Sequence, residues 1–245
     1  MTGVTRAGTI AGTALLLLAA ACGSPAAPPP SRVPSTPPVS TAPTSTAPAV
    51  DLSTLRRAEI PADVKNDLSG LPPKPADSAP VRDKLAWEAL DKVTRFAQRV
   101  DPGAKASCPA FNARSTTTAT CTVTYLGENY DYVLRNIEFV GSGITDGRTE
   151  RGSISYKAEL PAGPIVRDEL EKTLRYQAKT EYVACDMPEH QRFELAPGLR
   201  TRSSGAGPIY KTAISCRYLD PGSNTVSTRA AELNDWGSLA WPQPQ

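Results

Sequence analysis

The sequence predicts an α+β fold made of two consecutive helix-plus-antiparallel-sheet modules, each with one disulfide, after a disordered Pro-rich linker. Three observations predict it. Apolar residues recur at three- and four-residue steps, as in a helix, and further along they alternate with polar residues, as in a strand. This order of patterns occurs twice. A pair of cysteines follows each helical stretch. A stretch rich in Pro, Ser, Thr and Ala precedes both.

Five segments follow from this pattern. They are residues 1–21 (lipoprotein signal peptide), 22–50 (lipidated Cys22 and disordered linker), 51–79 (loosely ordered arm), 80–162 (first module) and 163–245 (second module). The formal net charge of the 245 residues is +2, and no basic run indicates binding to nucleic acid.

The N-terminal segment predicts an export signal that ends at a lipidated cysteine. After Arg6, the run 7–21 carries no charge, contains four consecutive leucines and ends beside Cys22. Cys22 is expected to carry a diacylglyceryl group, with further acylation such as palmitate, as the first residue of the mature protein. One alternative is a transmembrane helix, which needs roughly 20 apolar residues. The other is ordinary secretion, because 19–21 also fits a small-residue cleavage site.

The number of cysteines supports lipidation. The chain has five, and an odd number in a secreted protein leaves one thiol without a partner. If Cys22 is lipidated, Cys108, Cys121, Cys185 and Cys216 remain and can form two disulfides. Four cysteines allow three connectivities, and sequential pairing (108–121, 185–216) matches the layout of each half.

The linker is too polar and too rich in proline to fold. Nine of the 28 residues in 23–50 are Pro, and Arg32 carries the only charge. In polyproline form it spans roughly 85 Å, so it can act as a spacer between membrane and modules. The following arm, 51–79, is interrupted by prolines and is predicted to hold no more than one helical turn.

Each module is predicted to begin with a helix. The first follows Pro80 and runs to about Val100, and the second runs from Pro164 to about Lys179. Their apolar stripes are expected to pack on the sheets: Leu85, Ala89, Val93, Phe96, Ala97 and Val100 in the first helix, and Val166, Leu170, Leu174 and Ala178 in the second.

The predicted strands lie after these helices. They cover 118–125, 130–140, 154–160, 209–219 and 225–233. A Gly-rich loop is expected at 141–152 and a hairpin turn at 220–224.

The region around Cys108 and Cys121 resembles a known kind of domain. Segments 106–109 and 120–123 and Gly127, with strands after them, are similar to small cysteine-pair domains of unknown function in actinobacterial cell-envelope lipoproteins. The resemblance covers residues 80–160 and extends weakly over 164–245. It implies an envelope location and a helix-plus-sheet architecture, and it implies no catalytic residues.

No motif for catalysis, a cofactor or a metal is present. The chain contains neither G-x-S-x-G nor H-E-x-x-H, and it lacks the C-x-x-C spacing of a zinc site. His190, its one histidine, is predicted to lie in a surface loop. Glu169, Glu171 and Lys172 are expected to form a solvated helix face.

Trp236 and Trp241 are the candidate binding residues. Two tryptophans in six residues near the end of the chain either dock on the core or form an exposed aromatic patch for a glycan or a partner.

The sequence therefore predicts a non-enzymatic lipoprotein, anchored through Cys22 on the extracytoplasmic face of the cell membrane. Its modules are expected to bind an envelope protein or a wall component, without a cofactor or nucleic acid. The alternatives are a carrier of a small apolar ligand or lipid, which needs an apolar cavity of several hundred Å³, and a hydrolase, for which the nucleophile–base pair is missing.

Overall fold

A computed structural model of the chain describes residues 50–146, 149–196, 200–202 and 208–239. The predicted signal peptide, Cys22, the linker up to residue 49 and Trp241 lie outside the described residues.

The fold is mixed α+β, as predicted, and its described strand pairs are antiparallel. The elements in chain order are β1 Arg56–Arg57, α1 Val81–Ala97, β2 Lys105–Ser107, β3 Thr118–Tyr125, β4 Glu128–Asp146, β5 Thr149–Glu159, β6 Ala162–Val166, α2 Arg167–Ala178, β7 Tyr182–Cys185, β8 His190–Glu194, β9 Arg200–Arg202, β10 Pro208–Asp220 and β11 Thr225–Asn234.

The first half packs α1 on a four-stranded sheet with the order β2-β3-β4-β5. Every second residue of β3 is buried, ending with Cys121, Val123 and Tyr125, as the alternating sequence predicts. The disulfide between Cys108 and Cys121 joins β3 to the segment after β2. The predicted Gly-rich loop at 141–152 is largely strand, because β4 extends to Asp146 and β5 begins at Thr149.

The second half packs α2 on a sheet with the order β1-β7-β10-β11, in which β9 also pairs with β10. The predicted hairpin β10–β11 is confirmed, with Asp220 opposite Thr225. Cys185 and Cys216 lie opposite each other on β7 and β10 and form the second disulfide, so both pairings are sequential.

The two halves share one hydrophobic core. Its buried residues come from α1, both larger sheets and α2, and include Phe96, Leu134, Leu174, Val183 and Leu233. Strand β6, at the predicted module boundary, is buried at all five positions, and it contacts α1. A contiguous core across this boundary fixes the position of one half relative to the other.

The ends of the helices differ from the prediction. Helix α1 ends at Ala97 instead of near Val100, because Gln98 adopts a left-handed conformation with φ 59°. Helix α2 begins at Arg167, because Pro164 lies within β6, opposite Arg192 of β8. Among the described strands, β6 pairs with β8 alone, and proline is tolerated in edge strands, where its missing N–H faces away from a partner.

The predicted arm is attached to the second half and to α1. Arg56 and Arg57 form β1, which pairs with β7 at the edge of the sheet. Indole Nε1 of Trp87 donates to the carbonyl oxygen of Pro72 at 2.8 Å. No helix is assigned to the arm within its described residues.

The expectation that Glu171 lies on a solvated helix face is wrong. Its side chain is 2% exposed, and Oε2 lies 3.1 Å from Nη2 of Arg175, one turn further along α2. Glu171 Oε1 accepts a hydrogen bond from the backbone N–H of Cys185. Arg175 also donates to the carbonyl oxygens of Arg56 and Glu181. The pair therefore connects α2 to β1 and β7.

Replacing Arg175 with Met is expected to destabilise the fold strongly, because the carboxylate of Glu171 would remain buried without a countercharge. Breaking a buried pair in this way costs about 3–5 kcal/mol. The control is Lys172→Met, because Lys172 forms a partly exposed pair with Glu169 on the same helix, with 40% and 19% of the two side chains exposed. Its expected loss is below about 1 kcal/mol. Urea unfolding of both variants checks this, and equal losses would contradict it.

Candidate functional site

A cleft of about 680 Å³ lies where the two halves meet. Its charged and aromatic lining consists of Lys92 from α1, Arg135 from β4, Glu159 from β5, Glu194 from β8, Tyr210 from β10, and Asp235 and Trp236 from the segment after β11. Because both halves contribute, the cleft depends on their shared core.

The segment after β11 forms a tight turn, residues 234–238, which we call the C-terminal turn. Oδ1 of Asn234 accepts hydrogen bonds from the backbone N–H groups of Trp236 and Ser238, at 2.9 and 3.0 Å. The backbone N–H of Asn234 donates to the carbonyl oxygen of Ser238. An Asn side chain that mimics the backbone in this way is typical of turns. These bonds constrain the backbone at Trp236.

The C-terminal turn is fixed to the end of α1. Gly237 has φ +71°, and a Cβ atom there would overlap the backbone of Phe96. The side-chain amide of Gln98 donates to the carbonyl oxygen of Gly237, and Lys92 Nζ donates to that of Asp235 at 3.2 Å. Gln98 can reach Gly237 because α1 ends in a left-handed residue there. The turn is thus held by packing and by two hydrogen bonds.

Trp236 is displayed at the rim of the cleft with 58% of its surface exposed. Nζ of Lys92 lies 3.8 Å from the centroid of the indole, which is the geometry of a cation–π contact. Burial lowers the pKa of Lys92, and the charges of Asp235 and Asp91 partly oppose this effect. Lys92 therefore lies against one face of the ring, and more than half of the Trp236 surface remains exposed at the cleft.

The carboxylates of the cleft have partners. Arg135 Nε lies 2.7 Å from Glu159 Oε2. The hydroxyl of Tyr210 donates to Asp235 Oδ1 at 2.8 Å. Glu194 is paired in the same way, with Arg192 at 2.7 Å. The local charge is thus close to balanced, and the polar atoms remain able to bind a ligand because these ion pairs are half-exposed.

This lining is suited to binding and does not match hydrolase chemistry of the serine or cysteine type. Among the lining residues there is no Ser, Thr, Cys or His, so a nucleophile with an adjacent base is absent from this cleft. Within the described part of the chain, no group of three His, Cys, Asp or Glu side chains could hold a metal ion.

A second polar cluster joins α1 to the first sheet. Glu88 accepts hydrogen bonds from the hydroxyls of Tyr132 on β4 and Tyr156 on β5. Burial, together with these bonds to a carboxylate, raises the pKa of both tyrosines above its ordinary value. The phenols therefore stay protonated and act as donors that hold the helix on the sheet.

The structure separates the residues that the sequence singled out. Trp236 lies at the cleft, whereas Trp241 lies outside the described residues. The disulfide cysteines do not line the cleft, and each disulfide lies within one half. His190 begins β8 and is not a loop residue.

Sequence reasoning missed the charged lining of the cleft. Lys92 and Asp235 are 143 residues apart, and nothing in their local sequence distinguishes them from solvated surface charges. Of the residues that line the cleft, the sequence singled out Trp236 alone, through its pairing with Trp241 in the sequence.

Comparisons with known proteins give no match to a family model, a curated protein or a solved structure. Among the described helices, none has the length and apolar character that a membrane crossing requires.

Replacing Gly237 with Ala is expected to destabilise the C-terminal turn. The control is Gly143→Ala, because Gly143 also has φ +71°, but a Cβ atom added there would have no neighbour within 4 Å. Gly143→Ala should lower the free energy of unfolding by about 1–2 kcal/mol, which is the cost of placing an alanine in the left-handed conformation. Gly237→Ala should cost about 1–3 kcal/mol more, because its Cβ overlaps the backbone of Phe96. Urea unfolding measures both, and equal losses would show that the turn is not packed against α1.

Proposed function

We propose that this chain is a membrane-anchored extracytoplasmic lipoprotein, without enzymatic activity, that binds a component of the cell envelope through the cleft. The observation that carries the binding function is Trp236, which is 58% exposed and yet held on a turn bonded to α1. A large apolar side chain on a rigid support loses little conformational entropy when it binds, so it is suited to anchor a partner.

The anchor is proposed from the arithmetic of the cysteines. Four of the five cysteines form disulfides, which leaves Cys22 without a cysteine partner in the chain. Cys22 follows an uncharged run of signal-peptide length and precedes the Pro-rich linker. A diacylglyceryl group on its sulfur would tether the chain, and a second acyl group would make the attachment stable.

The linker and the cleft have complementary roles in this proposal. The residues from 23 to 50 would act as a spacer, and the two consecutive modules would place the cleft away from the bilayer. The partner would then be an envelope protein or a wall component that lies beyond the lipid head groups.

A carrier of an apolar ligand is the weaker candidate. Such a protein needs a cavity lined mainly by apolar side chains. Five of the twelve residues that line the cleft are charged, namely Lys92, Arg135, Glu159, Glu194 and Asp235, and they lie among seven apolar or aromatic ones. Charged groups lose hydration when an apolar ligand covers them, which opposes binding of a lipid chain.

The intact mass of the protein extracted from membranes tests the anchor. The expected chain begins at Cys22, carries the mass of acyl groups and contains two disulfides. Replacing Cys22 with Ser should remove the lipid and release the protein from the membrane fraction, whereas Ser24→Ala, two residues away, should leave both unchanged. A free thiol at Cys22 in the membrane-extracted protein would refute the anchor.

Sedimentation with cell-envelope fragments of an actinobacterium tests the binding function. The full chain is expected to sediment with the fragments, and Trp236→Ala should weaken the apparent affinity for them about tenfold, a loss of about 1.4 kcal/mol. Val140→Ala is the matched control, because Val140 is 49% exposed and does not line the cleft. Equal binding by the two variants would refute a role for the cleft.

A further inference from the structure

We infer that the ligand of the cleft is a neutral, polyhydroxylated one: a carbohydrate segment of the envelope whose sugar ring stacks on the accessible face of Trp236. This inference rests on the proposed binding function of the cleft and names the chemical class of its ligand. Four properties of the cleft lead to it.

The first property is the stacking surface. Trp236 lines the cleft and is 58% exposed, and Lys92 contacts one face of its indole. The face of an aromatic ring carries partial negative charge, and it attracts the weakly positive C–H groups that line one face of a sugar ring. The fixed backbone of the C-terminal turn presents this surface before the ligand arrives, which lowers the entropy cost of binding.

The second property is a mixture of donors and acceptors around that surface. Lys92 and Arg135 are donors, and the carboxylates of Glu159, Glu194 and Asp235 are acceptors. A hydroxyl group both donates and accepts, so a ligand with several hydroxyls can satisfy both kinds of group at once. A peptide offers fewer such groups per unit of length, because its backbone N–H and C=O alternate with side chains.

The third property is the balance of charge. Arg135 is paired with Glu159 at 2.7 Å, and Arg192 with Glu194 at 2.7 Å. Lys92 is attracted by the charge of Asp235. A polyanion would meet three carboxylates and a polycation would meet these cations, so either would be repelled by part of the lining. A neutral ligand avoids both penalties.

The fourth property is size. A volume of about 680 Å³ is within the usual range of about 300–1,000 Å³ for small-molecule sites. The cleft is also open to solvent, so a segment within a longer polysaccharide can enter it from the side.

Calorimetric titration of the full chain with defined oligosaccharides tests the inference. The protein is kept in a detergent without a sugar head group. The probes are neutral gluco-, manno-, galacto- and arabino-oligosaccharides, with an oligogalacturonate as the anionic control and an oligoglucosamine as the cationic control. At least one neutral series should bind, and neither charged probe should bind more tightly than it.

Two substitutions at Trp236 are expected to weaken binding of the oligosaccharide to different degrees. Trp236→Ala should weaken binding of the neutral oligosaccharide about tenfold or more, whereas Trp236→Phe, which keeps an aromatic face, should weaken it less. Val140→Ala should leave the affinity unchanged, because the side chain of Val140 is exposed and does not line the cleft. If Trp236→Ala fails to fold, the Phe variant and competition experiments on the unmodified chain still decide the question.

Competition for envelope binding separates failure of this inference from failure of the proposed function. The neutral oligosaccharide that binds should displace the chain from envelope fragments. In one outcome, no neutral oligosaccharide displaces the chain, and protease treatment of the fragments abolishes the Trp236-dependent binding. The partner is then a protein, so the carbohydrate inference is overturned and the proposed function stands. Binding of a charged probe alone, or of none of the probes, also overturns the inference. Envelope binding that does not depend on Trp236 removes the proposed function and the inference together.

Discussion

The packing of two glycines against Phe96, at the end of α1, is the constraint on which the arrangement of the two halves depends. A Cβ at Gly163 would overlap the ring of Phe96, and one at Gly237 would overlap its backbone. Gly163 belongs to β6, and Gly237 to the C-terminal turn, so both ends of the second half meet the helix of the first half at one residue. Interiors are densely packed and tolerate little extra volume at such contacts. The cleft follows from this junction, because its lining is drawn from both halves.

Covalent and electrostatic links complete the fold within each half. One disulfide ties β3 to the segment after β2, the other joins β7 to β10, and neither joins the two halves. The buried pair of Glu171 and Arg175 connects α2 to the sheet through backbone groups of Arg56, Glu181 and Cys185. A buried ion pair is retained without penalty only when its remaining hydrogen-bonding groups are satisfied, and these backbone contacts supply those bonds. The two halves are therefore joined by apolar packing at Phe96 and by the hydrogen bonds of Lys92 and Gln98 to the C-terminal turn, whereas the disulfides act within each half.

The proposed binding residue Trp236 lies on a turn that hydrogen bonds constrain. Ligand binding at Trp236 would be weaker if this segment had to become ordered on binding. Hydrogen bonds to the side chain of Asn234 and from Lys92 and Gln98 already order the backbone around Trp236. The charged residues beside it are paired and half-exposed, so they can exchange water for ligand hydroxyls at small cost. Rigid aromatic support with adaptable polar neighbours is a combination that favours specific recognition of a polar ligand.

The sequence by itself determined the elements whose periodicity is local. The stripe of α1, the alternation of β3 and the hairpin β10–β11 were predictable, because each depends on residues close together in the chain. For the disulfides the sequence favoured sequential pairing among three connectivities, and the structure shows that pairing. Tertiary structure decided the rest. Pro164 lies in a strand because β8 pairs with it, and Glu171 is buried because Arg175 and the N–H of Cys185 compensate its charge. The cleft also belongs to this second group. In the sequence its charged residues look like ordinary surface residues, and packing at Phe96 brings together segments that are more than a hundred residues apart. A local sequence pattern carries no information about such distant neighbours.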